Sequence, residues 1–285
     1  MPFDFRNLCR SLEPAYGHGE ARAVVRLVLE KLFDMSYADI VCDGLRHLDE
    51  ESACRLSAVM QRLQNGEPVQ YVLGEASFCG RMFAVKEGVL IPRPETEEMT
   101  RAVIASLSDK PCARVLDICT GSGCIAVTIA KELPQAEVTA WDISDVALSV
   151  AKRNAEAMDV QVNVVSQDAL HPPFDTDVWT AIVSNPPYVM ESERKTMAPH
   201  VLDHEPSLAL FVPDASPLLF YVAIARYAAK ALVKGGLLFF EINPLCASRV
   251  VAMLGEEGFS DIDTINDQFG KQRFVRAYLN PQNLT

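Results

Sequence analysis

The chain is 285 residues long, 49% apolar and 22% charged, with 14 glycines and 17 prolines spread without a period. These proportions suit one large or two unequal folded domains and exclude a collagen-like, low-complexity or wholly disordered chain. A net charge of −12 repels phosphate backbones at long range, so no direct nucleic-acid partner is expected, whereas a basic protein partner is attracted.

At the N-terminus, Asp4, Arg6 and Arg10 place charges where a secretory leader has none. No apolar run reaches about 18 residues, so no membrane span is expected. Eight cysteines occur without a Cys-x-x-Cys pair. They read as free thiols of a cytoplasmic protein, with no metal site.

The first 75 or so residues read as helical. Ala21, Val24, Val25, Val28 and Leu32 share one helical face, as do Ala53, Leu56, Val59, Met60 and Leu63. The second series ends at Asn65-Gly66 with Pro68 behind it, a normal helix exit. Residues 1–75 are therefore expected to form a small helical domain.

Val69 to Leu90 is richer in aromatic and β-branched residues and is punctuated by Gly74, Gly80 and Gly88. It predicts a hairpin-like connector, bounded as 76–92. Ile91-Pro92-Arg93-Pro94-Glu95-Thr96-Glu97 follows, and its two prolines predict an extended path. Glu97 and Glu98 suit a solvated helix start; Glu95 is assigned to face a basic substrate loop.

From here to residue 285, strands and helices alternate. Strands are predicted at 114–118, 137–142, 162–166, 178–184 and 237–242, with helices near 125–133, 145–158 and 218–232. Such alternation makes an α/β domain around a mostly parallel, doubly wound sheet. The last two predicted strands, 261–264 and 273–279, are too close for a helical crossover. They predict an antiparallel hairpin at the sheet edge.

Two turns carry the chemistry. The first predicted strand runs into Cys119-Thr120-Gly121-Ser122-Gly123 and then a helix. Glycines there let a ligand approach the backbone, and the helix start offers free N–H groups. Asp142 ends the next strand, where it can accept hydrogen bonds from ribose hydroxyls. This pattern fits a dinucleotide as well as S-adenosylmethionine. Asp117, inside the strand end, suits a cationic group such as an α-amino group and opposes a pyrophosphate.

The second turn is Asn185-Pro186-Pro187-Tyr188, after the fourth strand. Two prolines hold the nearby carbonyls rigid. Asn185 adds a carbonyl acceptor and an NH₂ donor, and Tyr188 a flat face. The set suits a planar group that carries an NH₂. Acceptors on both N–H bonds would orient such a nitrogen and stabilise the charge it gains on methylation.

Together the Asp-x-x-x-Gly-x-Gly turn and Asn-Pro-Pro-Tyr resemble the class I S-adenosylmethionine-dependent methyltransferases, Rossmann-like enzymes that modify planar amino nitrogens. Gly66-Glu67-Pro68, Ile91 to Glu97, Val183 to Tyr188 and Glu205-Pro206 occur in an order that narrows the likeness. The chain resembles the HemK-type peptide chain release factor N5-glutamine methyltransferases through nearly its whole length. That resemblance implies a helical domain at 1–75 that docks the protein substrate, a β connector and a methyltransferase domain at 93–285. It also implies a substrate, the glutamine of the Gly-Gly-Gln loop in class I release factors. The protein is expected to act as a monomer.

The resemblance implies roles residue by residue. Cys119, Thr120, Gly121, Ser122 and Gly123 would line the methionine part of the cofactor, and Asp142 its ribose. Asp168 and Ala169 fall where adenine is held. Asn185, Pro186, Pro187 and Tyr188 would hold the glutamine, with Asn185 also beside the cofactor and Asn185, Pro186 and Tyr188 serving the reaction itself. Arg93, Pro94 and Glu95 would form the pocket entrance. Four places depart from the family: Cys119 and Asn243 replace common glycines, Ala169 replaces a larger aromatic, and 214–217 lack a usual glycine. Cys119 fits its turn if its φ is negative, and is expected to weaken or shift cofactor contacts. Two alternatives use the same residues, a nucleic-acid amino-group methyltransferase and a cofactor-binding protein without catalysis.

Overall fold

Helix formation at the N-terminus follows the apolar spacing. The computed structural model describes residues 4–42, 44–110 and 112–280, so the outermost ends of the expected domains lie outside the described residues. The first helix, α1 (Phe5–Phe33), is capped by the Asp4 carboxylate and broken at Gly17, whose φ is 72°. It is followed by α2 (Tyr37–Val41), α3 (Glu50–Gln64) and α4 (Val69–Leu73). The core of this group is Leu12, Val25, Val28, Leu29, Leu56 and Leu63, all buried. Each such side chain contributes about 1.5–3 kcal/mol by leaving water. Leu32 and Ala53, expected on the buried faces, are only partly covered.

The described residues fall into two compact units. One comprises those within Met1–Glu75 and Ala198–His204; the other comprises those within Ala76–Met197 and Glu205–Thr285. Val69–Leu73 is helical, inside the helical stretch predicted over 1–75, although its composition is that of the connector behind it. Gly74 ends that helix with φ 76°, and only then does the hairpin β1 (Glu75–Phe78) and β2 (Arg81–Ala84) begin. Its turn residues Cys79 and Gly80 both have positive φ, as a two-residue hairpin turn requires.

One correction concerns the prolines. The extended path predicted through residue 97 stops at Arg93 (φ −105°, ψ 147°), and α5 (Pro94–Leu107) starts at once. Arg93 takes the extended conformation that the following proline demands. Pro94 sits at the first helical position, where its missing N–H costs nothing.

Beyond α5 the elements alternate: β3 (Arg114–Ile118), α6 (Cys124–Glu132), β4 (Glu137–Asp142), α7 (Asp145–Ala157), β5 (Asn163–Ser166) and β6 (Trp179–Ser184). The short β7 (Val189–Met190), α8 (Pro199–His204), α9 (Ser207–Leu210) and β8 (Phe211–Val212) come next. They are followed by α10 (Leu219–Ala231), β9 (Leu232–Glu241), α11 (Ala247–Glu256), β10 (Phe259–Asn266) and β11 (Gln272–Leu279). Helix α11 went unpredicted, although Ala247, Val250, Met253 and Leu254 mark its buried face.

Seven strands form one sheet in the order β10-β11-β9-β6-β3-β4-β5. The run β9-β6-β3-β4-β5 is parallel, and β11 is antiparallel to both neighbours. Its two faces are covered by separate apolar clusters, one around Tyr221, Phe240 and Val250 and the other around Phe83, Met99 and Phe239. The order reverses between β3 and β6, and a crevice opens beyond their carboxyl ends, where open α/β sheets bind ligands. No helix among the described residues is long and apolar enough to cross a membrane.

Candidate active site

Both turns singled out in the sequence leave adjacent strands. Ile118 pairs with Ser184 in the parallel ladder, and the Ser184 hydroxyl donates to the Ile118 carbonyl at 2.6 Å. Cys119 to Gly123 and Asn185 to Tyr188 therefore start side by side. Cys119, Thr120, Gly121 and Ser122 of the first and Asn185 and Pro187 of the second line one cavity that is open to solvent.

Three residues of the first turn are left-handed: Cys119 (φ 62°), Gly121 (57°) and Gly123 (78°). The negative φ that would have let Cys119 fit its turn without crowding is not found. Its side chain nonetheless has a place, packed beside the apolar cluster that contains Ile118 and Ile182. Burial pushes its thiol pKa upward, so the thiol stays neutral and behaves as a small apolar group. Gly123 caps α6 rather than lining the cavity.

Asp142 ends β4 and holds the turn in place. Its Oδ2 accepts from the Gly121 N–H at 2.8 Å and its Oδ1 from the Ser144 N–H at 2.9 Å. Burial raises its pKa, and these backbone N–H groups pull the other way. Asp142 lines the cavity, and each of its oxygens has capacity for a further hydrogen bond. Asp168 and Ala169 line the same wall. The Asp168 carboxylate is held below its ordinary pKa, chiefly by His171, whose Nδ1 lies 2.7 Å from Oδ2, and by the Leu170 N–H.

Asp117 does not reach the cavity. It is fully buried behind the turn, where Oδ2 accepts from Thr120 Oγ1 at 2.6 Å and from the Ala126 N–H at 3.2 Å. Oδ1 has no hydrogen-bond partner. Burial pushes this carboxyl up to about 7. In the unfolded chain it titrates near an ordinary ~3.9. Between those values the folded state binds the extra proton, so this group makes stability fall as pH rises from about 4 to about 7. Asp117→Asn is expected to flatten that slope. Thermal midpoints of both proteins across pH 4–8, without ligand, check it; parallel curves would refute it.

On the second turn, Asn185 and Pro187 line the cavity, whereas Pro186 and Tyr188 do not. The Tyr188 hydroxyl donates inward to Glu241 Oε1 at 3.0 Å. Burial, with Glu241 next, raises its pKa well above the usual range. At the mouth, Arg93 lines the cavity and pairs with the buried Glu205, Nη2 to Oε1 at 2.5 Å. Glu205 Oε2 also accepts from the Ile91 N–H at 3.2 Å. Pro94 and Glu95 open α5 outside the lining, while Thr96, one residue on, does line it.

Sequence reasoning missed Thr96, Glu205, Glu241 and Phe220. Thr96 and Glu205 lay inside the motifs that carried the resemblance, without a role. Glu241 had a signal of its own: a carboxylate closing the run Leu237-Leu238-Phe239-Phe240, every residue of which is buried.

Residues 6–74 match the family model "PrmC N-terminal domain", and residues 86–207 match "Methyltransferase small domain". A release factor glutamine methyltransferase of Bacteroides thetaiotaomicron is 43% identical over 94% of this chain and 96% of its own. One from Chlorobaculum tepidum is 40% identical over 87% of each. A methyltransferase from Pyrococcus furiosus superposes with a TM-score of 0.51 at 15% identity, covering 81% of this chain and all of its own, which speaks for the fold.

Proposed function

The chain belongs to the release factor glutamine methyltransferase family, and from that premise we propose how its site works. The protein methylates the side-chain amide nitrogen of a glutamine, the acceptor being the Gly-Gly-Gln loop of class I peptide chain release factors. S-adenosylmethionine supplies an electrophilic methyl on a sulfonium that departs as a neutral thioether. The carrying observation is the β3–β6 pairing, which sets the glycine turn and the Asn-Pro-Pro-Tyr turn on one cavity.

The residues present fit such a cofactor. Cys119, Thr120, Gly121 and Ser122 offer backbone to the methionine part. Asp142 has lone pairs for two ribose hydroxyls, and Asp168 and Ala169 form the adenine wall. The buried Asp117 carboxyl beneath the turn, pushed up to about 7, would ionise more readily beneath a cationic ligand than beneath a phosphate.

Asn185 Oδ1 and the carbonyls held by Pro186 and Pro187 are the acceptors for the glutamine NH₂. An amide nitrogen is a weak nucleophile because its lone pair is delocalised. Two acceptors orient it and offset the positive charge that grows as the methyl arrives. The nitrogen then loses a proton to water, so no strong base is needed beforehand. Arg93, fixed by Glu205, shapes the entrance. The helical unit holds the protein substrate, since the chemistry itself needs nothing from it.

Asp142→Ala is expected to weaken cofactor binding by about 1–3 kcal/mol, the range for hydrogen bonds to a charged group. Titration calorimetry checks this, and unchanged affinity would refute the ribose role. The function itself is tested by transfer of labelled methyl to a purified class I release factor, beside a copy with the loop Gln changed to Ala. Label on the first alone is the expected result; label on both, or on neither, would overturn the proposed acceptor.

A further inference from the structure

Glu241 ends the central strand β9 with a fully buried carboxylate, and both of its oxygens are in use. Oε2 accepts from Thr96 Oγ1 at 2.6 Å and Oε1 from the Tyr188 hydroxyl at 3.0 Å. A Thr hydroxyl has one hydrogen. Committed to Glu241, it leaves Thr96 Oγ1 with lone pairs only. That oxygen accepts from Asn185 Nδ2 at 3.2 Å. The amide of Asn185 is thereby fixed in one of its two orientations, NH₂ toward Thr96 and Oδ1 away from it. Turning the amide over would set two oxygens lone pair to lone pair, with no proton between them. The second hydroxyl on Glu241 belongs to the same turn, so one carboxylate grips Asn185-Pro186-Pro187-Tyr188 at both ends. The brace continues behind: Tyr221 Oη donates to the Glu241 carbonyl, and Asn243 Nδ2 donates to the Tyr188 carbonyl, each at 3.2 Å.

We propose that Thr96 and Glu241 are positioning residues that lock the Asn185 amide with Oδ1 presented to the acceptor nitrogen. The lock rests on the glutamine-methylating reading above and deepens it. It acts only through Asn185, so its removal matters only while Asn185 is present. This gives it a signature that a general structural role lacks.

Methyl transfer to release factor is measured for the full-length wild-type chain, Thr96→Val, Thr96→Ser, Asn185→Ala and the Thr96→Val/Asn185→Ala pair, in single turnover where rates are low. Thr96→Val keeps the shape and removes the acceptor. It is expected to lower kcat about 10- to 100-fold, with KM for the release factor and cofactor affinity changed less than about 2-fold. Thr96→Ser, which keeps the hydroxyl, should restore kcat to within about 3-fold of wild type. In the Asn185→Ala background, Thr96→Val should cost less than about 2-fold. Equal losses in both backgrounds, or a serine variant as slow as the valine one, would overturn the proposal. Should Thr96→Val fail to fold, Thr96→Ala, which also removes the hydroxyl, carries the same comparison, its loss again vanishing without Asn185. A wild-type chain that binds cofactor but labels no release factor removes the underlying reading instead, and the lock with it.

Discussion

Replacing Asn185 with Ala is expected to slow methyl transfer by about 10²–10³-fold while cofactor affinity stays within about 2-fold. The size follows from what the side chain does. In the proposed reaction its Oδ1 is a preorganised acceptor beside a nitrogen that becomes positive only as the methyl arrives, so most of its effect would be felt in the transition state. Its NH₂ group points the other way, to Thr96, and so adds little to ground-state binding of either ligand. Rapid-quench kinetics with labelled cofactor and calorimetric binding, run on one preparation, separate the two effects. Turnover within a few-fold of wild type would remove Asn185 from the reaction. A fall in cofactor affinity that matched the fall in rate would make it a binding residue only.

Gly123→Ala is expected to destabilise the fold by about 2–5 kcal/mol. Gly123 stands at φ 78°, a left-handed conformation that costs an L-residue about 1–2 kcal/mol. A Cβ there would also meet Ala151 Cβ at 3.0 Å and its Cα at 3.1 Å. The second atom is α7 backbone and cannot swing aside, so overpacking adds about 1–3 kcal/mol. For a domain of this size the thermal midpoint should drop on the order of 5–10 °C. A midpoint within about 1 °C of wild type would mean that α7 moves freely. Gly121 makes an instructive contrast: its φ is also positive, but a Cβ there meets nothing within 4 Å, so only the conformational cost applies.

Much of this was legible in the sequence, for identifiable reasons. Parallel strands buried on both faces read as continuous apolar runs, which located β3, β4 and β6 to within a residue or two. The glycine and proline turns declared themselves because their backbones allow few alternatives. What stayed hidden was either local or distant. Locally, the β-branched and aromatic residues of Val69–Leu73 suggested strand, but their packing in the helical core overrode that preference. Pro94 was read as ending a path when it begins a helix, because one residue type serves both purposes. At a distance, Thr96 and Glu241 are 145 residues apart, and no spacing rule joins them. Asp117 shows a subtler limit. Its place in the motif suggested a cationic ligand, but not that the carboxylate sits behind the turn rather than in the cavity wall.

The order of strands in the sheet also governs when the site can exist. Ile118 and Ser184, which bring the two turns together, are separated by 66 residues, and the loop between them must close before their ladder forms. Glu241 lies still further along, on the strand that flanks β6 on its other side. Contacts of such long sequence separation form slowly. A growing chain that has completed its helical segment and the glycine turn therefore has neither the acceptor turn nor its brace. Methyl transfer is therefore expected only once the strands through β9 are in place, and a chain truncated before them is expected to be inert because the groove has not yet been assembled.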